Sequence, residues 1–177
     1  MAKLIRIYWD SCAWLGLING EESKKKPLEA VYNSARSGRA ELWTSTLSFV
    51  EVFRLKEEEH APKPYGEGNL DIIEEAFRQE FVKLVPVDME IGVLARCLRR
   101  EHKGLSKLGD AIHLASALRW SVDCLMTFDS DDLLHLDKKI RDKSGKFLQI
   151  CPPADFLSGP LFASPERQPP LTLPGSA

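Results

Sequence analysis

The chain reads as an α/β domain built on a central parallel sheet, and three observations predict it. Short apolar runs alternate with segments of helical periodicity along most of its length, the pattern of strands joined by helical crossovers. The first run, from Leu4 to Trp9, is rich in β-branched and aromatic residues, as expected of a strand buried on both faces. Finally, two of the runs stop at an acid, Asp10 and Asp129. In open parallel sheets the functional crevice lies beyond the carboxyl ends of the strands, so side chains placed there project into a natural site.

Taken in order, the first strand passes through Asp10, Ser11 and Cys12 into a helix beginning Ala-Trp-Leu-Gly-Leu-Ile. Asp10 can cap that helix by accepting a bond from a free backbone N–H, or it can belong to a site; alone it decides neither. Asn19-Gly20 and Glu21 to Lys26 mark a polar turn, and Pro27 opens a second helix that stops near Ser37-Gly38. Glu41 to Thr44 form a short strand. Ser45-Thr46 then lead into a helix whose apolar positions, Leu47, Val50, Val52, Phe53 and Leu55, recur at helical spacing. Glu51 lies within it, placed either to pair with Arg54 or Lys56 at the surface or to return toward the edge that carries Asp10.

Charge, Pro and Gly predict an exposed loop over Glu57–Gly68, followed by a helix from Asn69 to Glu80 and a strand from Phe81 to Val87. Asp88 caps a helix running to Arg100. Arg96, Arg99, Arg100, His102, Lys103 and Lys107 form a basic cluster, which is either a solvated helix end or a surface for phosphates. It directly precedes Asp110, which opens a helix with a small-residue face of Ala111, Leu114, Ala115 and Leu118; capping is again the alternative role. His113 is expected to be bonded within the fold. Val122 to Phe128 is a buried strand running into Asp129-Ser130-Asp131-Asp132, and Phe147 to Ile150 is the last strand, before Pro152-Pro153.

Composition bounds the rest. A chain of 177 residues, 44% of them hydrophobic, suits one domain over residues 1–153. Residues 154–177, with Pro160, Pro165, Pro169, Pro170 and Pro174, read as an extended Pro-rich extension whose Phe156, Leu157, Leu161 and Phe162 could dock on a surface or a second subunit. With 24 basic and 26 acidic side chains the net charge is −2, so nucleic-acid binding would need a local basic face. Cys12, Cys97, Cys124 and Cys151 form no CxxC pair, which predicts reduced thiols and no structural zinc. The absence of a signal-like or membrane-length apolar run leads to the expectation of a soluble, cytoplasmic protein.

Four carboxylates therefore stand where the topology could gather them: Asp10 and Asp129 at strand ends, Glu51 and Asp110 on helices that follow strands. Crowded carboxylates without counter-charge either take up protons or recruit a cation. Hard oxygen ligands favour Mg²⁺ or Mn²⁺ over zinc. Such ions activate water and stabilise a leaving oxygen, which is chemistry for hydrolysing a phosphodiester.

These blocks, Tyr-Trp-Asp10-Ser-Cys, Thr-Ser45-Thr-Leu-Ser48-Phe-Val-Glu51-Val, Gly-Asp110-Ala-Ile-His-Leu-Ala and Met-Thr127-Phe-Asp129, occur in an order that resembles the PIN domains, specifically the VapC-like ribonuclease toxins of prokaryotic toxin-antitoxin pairs. The resemblance runs from Leu4 to Ile150. It implies a three-layer α/β/α sandwich around a parallel sheet, Mg²⁺- or Mn²⁺-dependent cleavage of RNA, a homodimer, and inhibition by a small antitoxin protein. Carried over by position, Asp10, Glu51, Asp110 and Asp129 would hold metal and do the catalysis, with Ser45 and Thr127 supporting them by hydrogen bonds. Asp131 would be an auxiliary acid. Asp132 stands where the family pattern often has an aromatic residue, and the Glu57–Gly68 loop is longer than the minimal version. Arg99, Arg100, Lys103 and Lys107 would contact RNA. A receiver domain would need a paired acid after strand one and a late Lys, and a haloacid-dehalogenase phosphatase would need Asp-x-Asp where this chain has Asp10-Ser11-Cys12. The remaining alternative is a catalytically inactive PIN-like module that binds RNA or protein.

Overall fold

A computed structural model describes residues 4–63, 65 and 68–157. Five strands, β1 (Ile5–Trp9), β2 (Ala40–Ser45), β3 (Val82–Val85), β4 (Cys124–Met126) and β5 (Gln149–Cys151), form one all-parallel sheet in the order β3-β2-β1-β4-β5. Seven α-helices connect or flank them among the described residues: α1 (Ser11–Ile18), α2 (Glu22–Arg36), α3 (Thr46–Glu51), α4 (Gly68–Phe77), α5 (Met89–Glu101), α6 (Leu108–Arg119) and α7 (Pro153–Leu157). From β1 the chain builds outward through β2 to β3, then crosses back to place β4 on the other side of β1. The switch point of the sheet thus lies between β1 and β4, and the crevice is expected at their carboxyl ends.

Side chains of β1 alternate between two cores, as a strand requires. Ile7 and Trp9 enter a cluster with Trp14, Leu28, Val31 and Phe77, whereas Tyr8 enters the opposite cluster with Ile91, Leu98, Leu114 and Leu125. All three residues of β1 from Ile7 to Trp9 are fully buried, so helices cover both faces and the layers are α/β/α. Helix α6 packs by the predicted small face, with Ala111, Leu114, Ala115 and Ala117 inaccessible to solvent.

The structure departs from the sequence reading in several places. Helix α2 starts at Glu22, and Pro27 sits inside it, so the lysine run is helical and not a turn. Pro27 is the sixth residue of the helix and gives up the one backbone bond its N–H would have made, while pairs between Lys24 and Glu21 and between Lys25 and Glu29 brace the turns around it. Helix α3 stops at Glu51 instead of continuing to Leu55. Beyond it Glu58 accepts a bond from the Leu55 backbone N–H at 2.8 Å and fixes a short 3-10 turn over Lys56–Glu58, while Val52 and Leu55 still reach the core. The late strands are shorter than predicted, and the folded body continues through α7, where Phe156 is buried in the first core and α7 lies against α2. Leu161, Phe162 and the prolines from Pro160 onward lie outside the described residues. All four cysteines are free thiols, Cys124 and Cys151 standing side by side on neighbouring strands with Sγ atoms 3.6 Å apart.

Candidate active site

Asp10 follows β1 directly and is 2% exposed. It does cap α1: Oδ1 accepts from the Ala13 N–H at 2.9 Å. The capping role and a site role are not exclusive, because a carboxylate has further lone pairs. Burial raises the Asp10 pKa, against the lowering influence of His113 and a hydrogen bond from Thr127.

Glu51 is the last residue of α3, and its Oε2 accepts from Ser11 Oγ at 2.6 Å and from His113 Nε2 at 2.8 Å. His113 is buried on α6, and its Nδ1 meets the Tyr8 hydroxyl at 3.0 Å; that hydroxyl donates to Ser45 Oγ at 2.8 Å. The predicted support from Ser45 therefore passes through Tyr8 and His113, linking the end of β2 to Glu51. Burial pushes the Glu51 carboxyl up, but the bonds from His113 and Ser11 outweigh it and leave its pKa below the ordinary value. Gly109 permits the arrangement. A β-carbon there would stand 2.5 Å from Glu51 Oε1, so any larger residue would push the end of that carboxylate away from the first turn of α6.

Asp110, in that first turn, meets Asp129 and Asp132: each offers an oxygen, and the three lie within 4.8 Å of one another. Asp129 Oδ1 accepts from the backbone N–H groups of Asp131 and Asp132, at 2.9 and 2.8 Å, and Thr127 Oγ1 accepts from the Asp129 N–H at 2.9 Å. Thr127 thus steadies both Asp10 and Asp129. Asp132 is 4% exposed, and its Oδ1 accepts from Ser106 N at 3.3 Å and Oγ at 3.1 Å. The ammonium of Lys107 reaches all three acids: 2.5 Å from Asp129 Oδ2, 3.4 Å from Asp132 Oδ2 and 3.7 Å from Asp110 Oδ2. Asp110 Oδ2 is nonetheless buried without a hydrogen-bond donor. Burial, and next the charge of Asp129, push its pKa up to about 7.

Of the four acids singled out in the sequence, Asp110 and Asp129 therefore share a cluster, and Asp10 and Glu51 lie outside that trio. The third member is Asp132. Asp131, the expected auxiliary acid, is exposed, and its carboxylate accepts from the neighbouring Ser130 hydroxyl at 3.2 Å. The signal for Asp132 was its acid in place of an aromatic residue; the signal for Gly109 was a glycine spent inside a helix immediately before an acid. Tyr8, Ser11 and Ser106 carried no signal separable from ordinary strand, helix and loop residues.

The basic residues line an open groove of about 620 Å³ between α5 and α6, walled by Arg96, Arg99, Arg100, Lys103, Ser106 and Leu108 among others. Arg99 donates to the Ser106 carbonyl at 2.9 Å, so it also braces the loop that holds Asp132. Lys107 belongs to the acid cluster instead of the groove wall.

The PIN domain family model matches residues 7–139, three quarters of the chain and all four acids. The chain belongs to the PIN domain family. Solved structures agree on the fold at low identity. VapC20 of Mycobacterium tuberculosis, described as a sarcin-ricin-loop-cleaving toxin, is 17% identical with a TM-score of 0.54, covering 71% of this chain and 91% of its own. The VapBC2 complex of Rickettsia felis, bound to a DNA fragment from its promoter, matches at 14% identity and TM-score 0.56, covering 82% and 98%. A toxin-antitoxin complex from Klebsiella pneumoniae matches at 19% and 0.52, covering 71% and 88%. A comparison with curated proteins returns no significant match.

The donor set of this PIN domain fits a hard divalent cation. It offers carboxylate oxygens on three sides, one of them, Asp110 Oδ2, buried and without a donor, and no thiolate or imidazole belongs to the trio.

Proposed function

We propose that this PIN domain is a metal-dependent endoribonuclease that hydrolyses RNA phosphodiester bonds, and that it is the toxin of a toxin-antitoxin pair. The observation that carries the reading is the convergence of Asp110, Asp129 and Asp132 at the switch point of the sheet, with a buried carboxylate oxygen left without a donor. Asp110, Asp129 and Asp132 would hold Mg²⁺ or Mn²⁺, with Asp10 and Glu51 facing it directly or through water. A divalent ion held there supplies activation of water and stabilisation of charge developing on the phosphate. The chain supplies everything else. Glu51, kept ionised by His113 and Ser11, is suited to hold a fixed negative charge toward the metal and to orient the attacking water by a hydrogen bond. Thr127 holds Asp10 and Asp129 in fixed relation. The groove of Arg96, Arg100 and Lys103 beside Ser106 is suited to the phosphates that flank the scissile bond.

The toxin role rests on the structural neighbours, two of which are toxin-antitoxin complexes, and it brings a small antitoxin as partner. Exposed Leu84, Val87, Met89 and Val93 offer apolar surface for a homodimer. No helix among the described residues is long and apolar enough to cross a membrane, which accords with a cytoplasmic site of action.

The test is cleavage of structured RNA, tRNA and rRNA by the purified protein in Mg²⁺, Mn²⁺ and EDTA, beside folded Asp10→Asn and Asp110→Asn variants. Cleavage that needs both metal and acids is the expected outcome. A folded protein that neither cleaves nor binds divalent metal would return the chain to an inactive PIN-like binding module.

A further inference from the structure

Lys107 stands where local helix energetics argue against a lysine. It occupies the N-cap of α6, its backbone extended at φ −77° and ψ 136°, and its side chain makes no capping bond. An ammonium has no lone pair with which to accept from the first free N–H groups, and a cation at a helix amino end opposes the macrodipole. Its compensation lies elsewhere, in the ammonium's approach to Asp129, Asp132 and Asp110. The side chain remains 56% exposed, so the head group can leave for solvent without breaking the core. One ammonium among three carboxylates whose oxygens lie within 4.8 Å of one another leaves the cluster short of positive charge.

We propose that Lys107 is a tethered counter-ion that occupies the acid cluster in the metal-free protein and must be displaced when a divalent cation binds. The inference rests on the metal-dependent reading above and adds to it a regulatory element. Lys107 keeps the empty cluster folded, holds Mg²⁺ or Mn²⁺ affinity below what three carboxylates would otherwise give, and makes metal entry competitive with an internal cation. Displacement also frees one positive charge beside the groove that Arg100 and Lys103 line.

The experiment is titration of the full-length protein with Mn²⁺, followed by the electron paramagnetic resonance signal of the free ion, for the wild type, Lys107→Met, Lys107→Gln and Lys107→Arg. Removing the ammonium should tighten Mn²⁺ binding about tenfold, the scale expected for relieving a partly exposed charge competitor. Lys107→Arg, which keeps the cation, should stay near the wild type. In thermal melts without metal Lys107→Met and Lys107→Gln should unfold earlier, and saturating Mn²⁺ should raise their Tm by more than it raises that of the wild type. Two neutral variants guard against one that misfolds. Mn²⁺ binding by the folded neutral variants that is equal to or weaker than wild type would overturn the counter-ion role while leaving the metal site intact. Binding by none of the proteins would overturn the metal reading and this inference together.

Discussion

The two halves of the acidic site differ in how many carboxylates share one counter-charge. Asp10 and Glu51 have permanent protein partners: a helix N–H for one, and Ser11 and His113 for the other. Asp129 and Asp132 also have fixed donors, the Asp131 and Asp132 N–H groups for one and Ser106 for the other, but with Asp110 they crowd around the one exposed ammonium of Lys107, and one oxygen of Asp110 has no donor. A group already satisfied by fixed donors has its orientation set in advance, whereas a cluster left short of positive charge has an affinity still to be spent on a cation. On the proposed metal-dependent reading, the first half would orient the attacking water and the second would retain the metal.

Substitution tests that division most strongly. A group that orients a metal ligand is worth about 10- to 100-fold in metal affinity. Glu51→Gln should fall within that range while RNA cleavage falls further, because the amide still bonds Ser11 or His113 but loses the charge that orients the attacking water. Asp129→Asn should exceed it, because it removes a ligand charge while the amide oxygen still accepts from the Asp131 and Asp132 N–H groups and keeps the turn in place. Isothermal titration with Mn²⁺ and single-turnover cleavage on the same preparations read the two effects separately. Equal losses of metal affinity in the two variants would erase the distinction between the halves.

The same contrast explains what could be read from the chain without its structure. Asp10 and Asp129 were legible because each ends an apolar run, and a parallel sheet delivers strand ends to one edge. Asp110 was legible through the small-residue face that follows it, which fixes how α6 must lie. Asp132 was harder to see: its convergence depends on how the Asp129 carboxylate folds the chain back by accepting the N–H groups of Asp131 and Asp132, a local geometry shared by many Asp-rich turns. Asp131 looked equally suitable from spacing alone. Gly109 and Tyr8 are understood only once α3, α6 and β1 are in contact, since what matters is the distance between residues far apart in sequence. Pro27 misled because its meaning as a helix start is a tendency, and side-chain pairs around it let the helix begin a turn earlier.

A pH titration offers a smaller effect of known sign. The Asp110 pKa is raised from 3.8 to about 7, so between those values the folded protein binds a proton that the unfolded chain has released. Its contribution to stability is fully present below the lower value and is lost as pH rises through the upper one. Metal binding requires the same proton to leave, so Mn²⁺ affinity should rise about tenfold between roughly pH 6 and 8 and then level off. Asp110→Asn should remove this slope from metal-free thermal stability over the same window. An Mn²⁺ affinity that is flat across neutral pH would place Asp110 among the pre-satisfied groups and undo the comparison.

The smallest effect belongs to the groove, which should serve binding without touching the chemistry of either half. Arg99 is the wrong residue to remove, because its bond to the Ser106 carbonyl braces the loop that grips Asp132, and its loss would mix RNA contact with disturbance of the acid cluster. Arg96 and Arg100 line the same groove, and replacing them leaves that brace in place. Each phosphate contact to a single strand contributes about 0.7 to the slope of log affinity against log salt. Arg96→Ala combined with Arg100→Ala should therefore flatten the slope by about 1.4 if both meet phosphates. Single-turnover cleavage at saturating RNA should stay unchanged, since the carboxylates keep their partners. A slope that does not move would take phosphate binding away from the groove; a fall in the saturated rate would mean that the groove and the acids are one unit.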